Sequence, residues 1–180
     1  MDAPLRLPDV LADETIRLDA YRVADAEVHA AAEDREMRLR FDAPDPDVAA
    51  PLDHVRDVMR GWIAARAAGR PNIVYAIREA GGALAGGCEL RWLDSESLNV
   101  SYWIYPAFRG SGLAARAVAL LCEAARGEHA RRLEAHIDAD NTGSRRTAAA
   151  AGFTEAGTVH DEGPDGAPRM RLRYVRPLPG

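Results

Sequence analysis

The sequence predicts an α/β fold: one mixed, mostly antiparallel sheet with helices on both faces. Two observations predict it. Apolar-rich runs separated by short polar or Gly-rich turns occupy residues 73–105 and again 153–176, a meander and a hairpin that pair antiparallel. Between them, residues 98–138 read strand, helix, strand, and such a crossover lays its helix against a face of the sheet.

The elements follow in order. Thr15 to Tyr21 alternates Ile16, Leu18 and Ala20 with Arg17, Asp19 and Tyr21, a half-buried strand. A helix is expected from Val23 to about Arg35, with Asp25 and Glu27 in its first turn favoured by the helix dipole. Phe41 to Pro51 holds Pro44, Pro46 and Pro51 and reads as a loop, with Pro51 opening the next helix. Val55, Val58, Met59, Trp62 and Ile63 then form one apolar stripe at spacings of three and four, on a helix ending near Gly69. Ile73 to Arg78 and Leu84 to Leu93 are strands around a turn at Glu79 to Ala83, and Leu98 to Tyr105 is a third, stopped by Pro106. Leu113 to Arg126 is a helix with Leu113, Ala117, Leu120, Leu121 and Ala124 on one face. Leu133 to Asp138 is a strand, Asn141 to Ala151 a short helix, and Phe153 to His160 with Arg169 to Arg176 the closing hairpin.

Composition narrows the function. The 180 residues suit a single domain, 47% apolar and 28% charged. Asp and Glu outnumber Lys and Arg by 28 to 23, a formal charge of −5 that argues against nucleic acid as a partner. No apolar run approaches the roughly 20 residues a membrane span needs, and Met1 to Asp13 lacks the apolar stretch of a signal peptide, so a cytoplasmic protein is expected. Cys88 and Cys122 are too few for a disulfide framework, and the five histidines show no zinc spacing, so no metal is expected.

The chemistry sits in residues 102–112. A strand reaches Pro106, then Arg109, Gly110, Ser111 and Gly112 turn the chain into a helix. Glycines at such a corner let the backbone turn sharply and approach a ligand closely. The first N–H groups of the helix are unpaired and its dipole favours negative charge, which makes a cradle for phosphate. Arg109 is expected to add a charge-assisted contact. Ala115 rules out Gly-x-Gly-x-x-Gly, and the absence of Gly-Lys-Ser/Thr rules out a Walker loop.

Tyr102 to Ala114 resembles the acyl-CoA motif of the GNAT acyltransferases, Arg/Gln-x-x-Gly-x-Gly/Ala, here filled by Arg109, Gly112 and Ala114. Residues 132–146 with Gly152 and Phe153, and the opening Ile16, Arg17, Leu18 with Asp25, are similar to the Rim-type branch, whose named members acetylate ribosomal-protein N-termini. The resemblance covers about residues 14–176. It implies a GNAT fold of about six to seven strands, splayed at the centre. It further implies that backbone amides of Arg109, Gly110, Ser111, Gly112, Leu113 and Ala114 hold the CoA pyrophosphate, and that the pantetheine pairs near Ile104 and Tyr105. An amide near Trp103 would polarise the thioester. Asn141 and Ser144 would meet the thiol side of the cofactor, with Ser144 donating a proton to the departing thiolate. In any fold, Asn141 also suits a helix N-cap.

Two positions depart from that branch: Ala149 and Asn99 stand where Glu is common, and Asn99 removes a usual proton acceptor. Strand alternation places Glu134, His136 and Asp138 on one face, facing the cleft, so His136 is a candidate base and Glu89 another. Asp42, Asp45 and Asp47 either form a solvated Pro/Asp loop or draw a cationic amine to the mouth. Arg38 or Arg40 in the acceptor pocket would point to a dicarboxylic acyl group. Trp62 is core or a pocket wall, and Cys122 a buried small hydrophobe. The expected activity is N-acyl transfer from acetyl-CoA, or a related acyl-CoA such as succinyl-CoA, to a protein N-terminus or small amine. The alternative is a silent acyl-CoA sensor or partner module. The resemblance also allows a homodimer.

Overall fold

The computed structural model describes residues 4–41, 43, 45–162 and 168–178. Eight strands form one sheet: β1 (Leu11–Ala12), β2 (Ile16–Asp19), β3 (Asn72–Glu79), β4 (Leu84–Trp92), β5 (Ser97–Ile104), β6 (Arg132–Ile137), β7 (Thr154–Glu162) and β8 (Pro168–Pro177). Their order is β1-β2-β3-β4-β5-β6-β8-β7, antiparallel throughout except for the parallel β5–β6 pair. The sheet has one strand more than the upper expectation of seven. The addition is the two-residue β1, too short to show a period in sequence.

Five helices flank the sheet: α1 (Ala26–Ala32), α2 (Arg35–Arg40), α3 (Leu52–Ala67), α4 (Leu113–Ala124) and α5 (Thr142–Ala150). The single helix expected from Val23 to Arg35 is broken. A 3-10 turn, Val23–Asp25, leads into α1, and Asp34 starts α2 by accepting a hydrogen bond from the Met37 amide at 2.9 Å. On α3, Val55 and Met59 are buried, but Ile63 is 38% exposed and leaves the expected stripe. On α4 the buried face is Leu113, Ala117, Val118, Leu121 and Cys122.

The two sheet faces carry separate cores. The α4–α5 face packs Tyr75, Ile77, Cys88, Leu90, Leu98 and Leu133 with α4, while the other packs Tyr21, Val74 and Ala76 with Met37 of α2 and Met59 of α3. Beneath the second core lies an ion triad. Arg78 of β3 donates Nε to Asp19 at 2.8 Å and Nη2 to Asp25 at 2.7 Å, all three being buried. Pairing lets these charges leave water without an uncompensated group.

Candidate active site

The parallel pairing of β5 with β6 is brief. It covers Ser97–Arg132, Leu98–Leu133 and Asn99–Glu134, and then the strands part. Asn99 sits buried at the fork, its amide donating to the Glu134 carbonyl at 3.3 Å and its Oδ1 accepting from Ser101 at 3.1 Å. Beyond the fork opens a cleft of about 670 Å³.

Ladder parity decides which backbone groups face that gap. Leu93 donates to Ser97 and Tyr105 to Ala85, both at 2.9 Å, so the odd-numbered residues of β5 bond to β4. Trp103 and Tyr105, expected to serve the cofactor through their amides, therefore spend them on the sheet. The amides of Tyr102 and Ile104 point instead into the gap. On β6, Leu178 donates to the Arg131 carbonyl at 2.8 Å, so the odd residues bond to β8 and His136 presents its backbone to the gap. The Ile104 carbonyl accepts from Arg109 Nε at 3.2 Å.

At the open end of the cleft is the glycine corner. Gly110 and Gly112 have φ of 76° and 79°, a region that L residues rarely adopt, and a Cβ on either would meet nothing within 4 Å. The N–H groups of Gly110, Ser111, Gly112, Leu113, Ala114 and Ala115 have no acceptor among the described residues. Arg109 departs from expectation, because its guanidinium turns away from the corner. It donates Nη1 to Asp34 at 2.7 Å and to Glu36 at 3.1 Å, and Nη2 to Asp34 at 3.0 Å. The Ser111 hydroxyl donates to the Phe108 carbonyl.

The other arm of the cleft is α5. Asn141 caps it, its Oδ1 accepting from the Ser144 amide at 3.0 Å, while Tyr102 Oη donates to the Ser144 carbonyl at 2.9 Å. Burial pushes the Tyr102 hydroxyl up to about 12, so it stays neutral at ordinary pH. Asn141, Ser144, His136 and Glu89 all line the cleft, as do Trp103, Ile104, Arg109, Gly110, Gly112, Leu113 and Ala114. Tyr105 and Ser111 do not. Tyr105 is buried in the opposite core, with its hydroxyl 2.7 Å from His29 Nδ1.

Of the expected polar row on β6, two members are neutralised. Arg173 Nε lies 2.7 Å from Glu134 Oε2, and Arg132 Nε lies 2.9 Å from Oε1. These guanidiniums, Arg173 foremost, hold the Glu134 carboxyl down at about 2, too low for a base near neutrality. Asp138 is met by Arg40, Arg169 and Arg171 at 3.1, 3.0 and 3.3 Å. His136 remains, 3.4 Å from Glu134. Across the cleft, Glu89 accepts from Asn72 at 3.2 Å.

Helix α2 crosses this mouth, and sequence reasoning missed it. Arg109 ties its first turn to the β5–α4 arm. Arg40 ties its last turn to the β6–α5 arm, reaching Asp138 and, at 2.7 Å, Asp140. Glu36, Met37, Arg40 and Phe41 thereby line the cleft. Arg38 does not, since it donates to the carbonyls of Glu33 and Pro46. Trp103 makes an aromatic wall, stacked parallel to Tyr21 at 6.4 Å and edge-on to Phe41 at 5.3 Å, with Trp62 behind it at 6.0 Å. Gly87 makes room for it, since a Cβ there would lie 2.2 Å from the indole. Asp47 is paired with Arg35 at 2.5 Å, and Asp42 lies outside the described residues. Cys88 is fully buried and its thiol is pushed up by that burial, which removes it as a nucleophile. Among the described residues, no group of His, Cys, Asp or Glu is arranged to hold a metal, and no helix is long and apolar enough to cross a membrane.

Residues 15–154 match the family model of the acetyltransferase (GNAT) domain. Among solved structures, RimJ of Mycobacterium smegmatis in complex with CoA-disulfide is 21% identical, with a TM-score of 0.78 over 98% of this chain and 90% of that one. The microcin C7 self-immunity acetyltransferase MccE, in complex with acetyl-CoA and AMP, is 16% identical, with a TM-score of 0.78 over 92% and 94%. RimL, a ribosomal L7/L12 alpha-N-protein acetyltransferase in complex with coenzyme A, is 19% identical, with a TM-score of 0.72 over 94% and 98%. At these identities the likeness is one of fold. No curated protein matches the chain.

Proposed function

The chain belongs to the GNAT acetyltransferase family, and on that premise we propose that it moves an acetyl group from acetyl-CoA to a primary amine, of a protein N-terminus or a small molecule, by direct attack in a ternary complex. The observation that carries this reading is the row of unpaired amides from Gly110 to Ala115, at a glycine corner that opens into a cleft. Those amides suit a diphosphate, because each supplies a donor and the α4 dipole adds to them. The coenzyme supplies an activated thioester and a thiolate leaving group.

The chain's own residues supply the rest. The amides of Tyr102 and Ile104 are placed to pair with an extended pantetheine arm or to polarise a carbonyl in the gap. Asn141 and Tyr102 fix the first turn of α5, and so orient Ser144 as the proton donor to the thiolate. Glu89 and His136 line opposite sides of the cleft and take the proton from the attacking amine, directly or through water. Asn99 contributes no base, being fully engaged at the fork.

The test is thiol release from acetyl-CoA and succinyl-CoA against a panel of small amines and N-terminal peptides. Turnover with acetyl-CoA supports the reading. Coenzyme binding without turnover on any acceptor contradicts it and favours a silent sensor.

A further inference from the structure

The sheet face beside the cleft carries three guanidiniums, two of them ion-paired and one left without a carboxylate. Arg91 of β4, Arg132 of β6 and Arg173 of β8 project from this face. Register links them: Arg91 pairs with Asn99, Asn99 with Glu134, and His136 with Arg173. Three carboxylates share the face, of which Glu89 is held by Asn72 and the other two answer Arg132 and Arg173. Glu134 takes Arg173 and Arg132, and Asp94 lies 3.4 Å from Arg132. Arg91 has no hydrogen-bond or ion-pair partner among the described residues, although it lines the cleft. The face is open to solvent: the Arg132 and Arg173 side chains are 35% and 30% exposed, and Arg91 is exposed.

The patch stands a definite distance from the reacting amine. Glu89 and Arg91 share a strand face two residues apart, about 6.6 Å at a rise of about 3.3 Å per residue. An extended peptide advances by the same step. With its amino group between Glu89 and His136 and its chain running along β4, its second and third residues come level with Arg91.

We propose that this face receives the acidic second and third residues of a peptide acceptor, with Arg91 as the specificity-determining contact. The inference rests on the transferase reading above and deepens it. Charge complementarity selects the partner, because an acidic side chain would answer the unpaired Arg91 guanidinium, whereas a basic one would meet a like charge, which is penalised at a binding surface.

The experiment compares acetylation of peptides beginning Ser-Asp-Asp, Ser-Asn-Asn and Ser-Lys-Lys by the wild type and Arg91→Glu. The expected result is a kcat/KM for the acidic peptide about tenfold above the neutral one, carried mainly by KM and shrinking with added salt. Arg91→Glu is expected to reduce that ratio to about two or less and to favour the lysine peptide. Turnover without acidic preference, or a preference untouched by Arg91→Glu, overturns the docking surface and leaves the transferase reading standing. Preferred acetylation of free aspartate or glutamate overturns the peptide as occupant. A parallel binding measurement, by anisotropy of a C-terminally labelled Ser-Asp-Asp peptide with CoA present, reads the surface without catalysis. Binding that Arg91→Glu weakens about tenfold supports it, and equal binding overturns it. Failure of thiol release on every acceptor contradicts the transferase reading instead.

Discussion

Asp34 caps helix α2 and, with the same carboxylate, holds both terminal nitrogens of Arg109. Arg109 is the residue that opens the glycine corner, so the cation closest in sequence to the anion cradle is already committed to the strap across the cleft. Asp34→Asn keeps an N-cap side chain while removing its charge. An exposed ion pair of this kind is worth up to about 1 kcal/mol. With Glu36 the only carboxylate still holding it, Arg109 turns toward phosphate more readily, and the acetyl-CoA dissociation constant should fall by about threefold, read by calorimetry. An unchanged constant would show that Arg109 is not shared between the two anions.

Gly87→Ala tests the acceptor wall. The added methyl would meet the Trp103 ring at 2.2 Å and the Tyr21 hydroxyl at 2.4 Å, so the indole must leave its stack. Overpacking of this kind costs about 1–3 kcal/mol of stability. Acetyl-CoA affinity should persist while kcat/KM for the acceptor falls, because the displaced ring lies on the acceptor side. Equal loss of both would place Trp103 in the coenzyme site.

Acid should weaken the fold through Glu134. Its carboxyl is held at about 2, below the ordinary carboxylate value of 4.5, chiefly by Arg173. A depressed acid stabilises the fold above its unfolded value, and loses that contribution as pH falls toward 2. Between about pH 5 and 2.5, the wild type should lose several degrees of Tm more than Glu134→Gln does. Parallel losses would show that the Arg132–Glu134–Arg173 cluster does not couple protonation to folding.

Arg78→Ala tests the buried triad. It leaves the buried Asp25 with only the Arg22 amide and Asp19 with the more exposed Arg17 and Arg22, and removal of the buried cation of such a group costs about 3–5 kcal/mol. Urea unfolding reads the difference directly. A loss below about 1 kcal/mol would mean that water reaches the carboxylates.

The parts of this protein legible in sequence are local. The glycine corner, the crossover helix after it and the Asn141 cap each lie within a dozen residues, where turn chemistry and periodicity act. Helix α2 was missed because neither Gly nor Pro marks the break at Glu33. The chain leaves α1 there by extending its backbone (ψ of 115°), and the signal available was Asp34 as a cap. The fate of the β6 carboxylates was hidden for another reason. Glu134 meets Arg173 from 39 positions away, a pairing that exists only once β8 lies beside β6. Parity had the same effect on Trp103 and Tyr105, because alternation alone does not say which residues bond to β4.

The most direct measurement is calorimetric titration of acetyl-CoA into the wild type and Gly112→Val, with circular dichroism on both. Gly112 has a positive φ and open space where a side chain would go, so a valine there obstructs what approaches the corner rather than the protein's own packing, at a backbone cost of about 1–3 kcal/mol. Saturable binding by the wild type, reduced at least about tenfold in a folded variant, is the predicted result. Equal affinity in the two folded proteins would contradict the assignment of the coenzyme diphosphate to this corner.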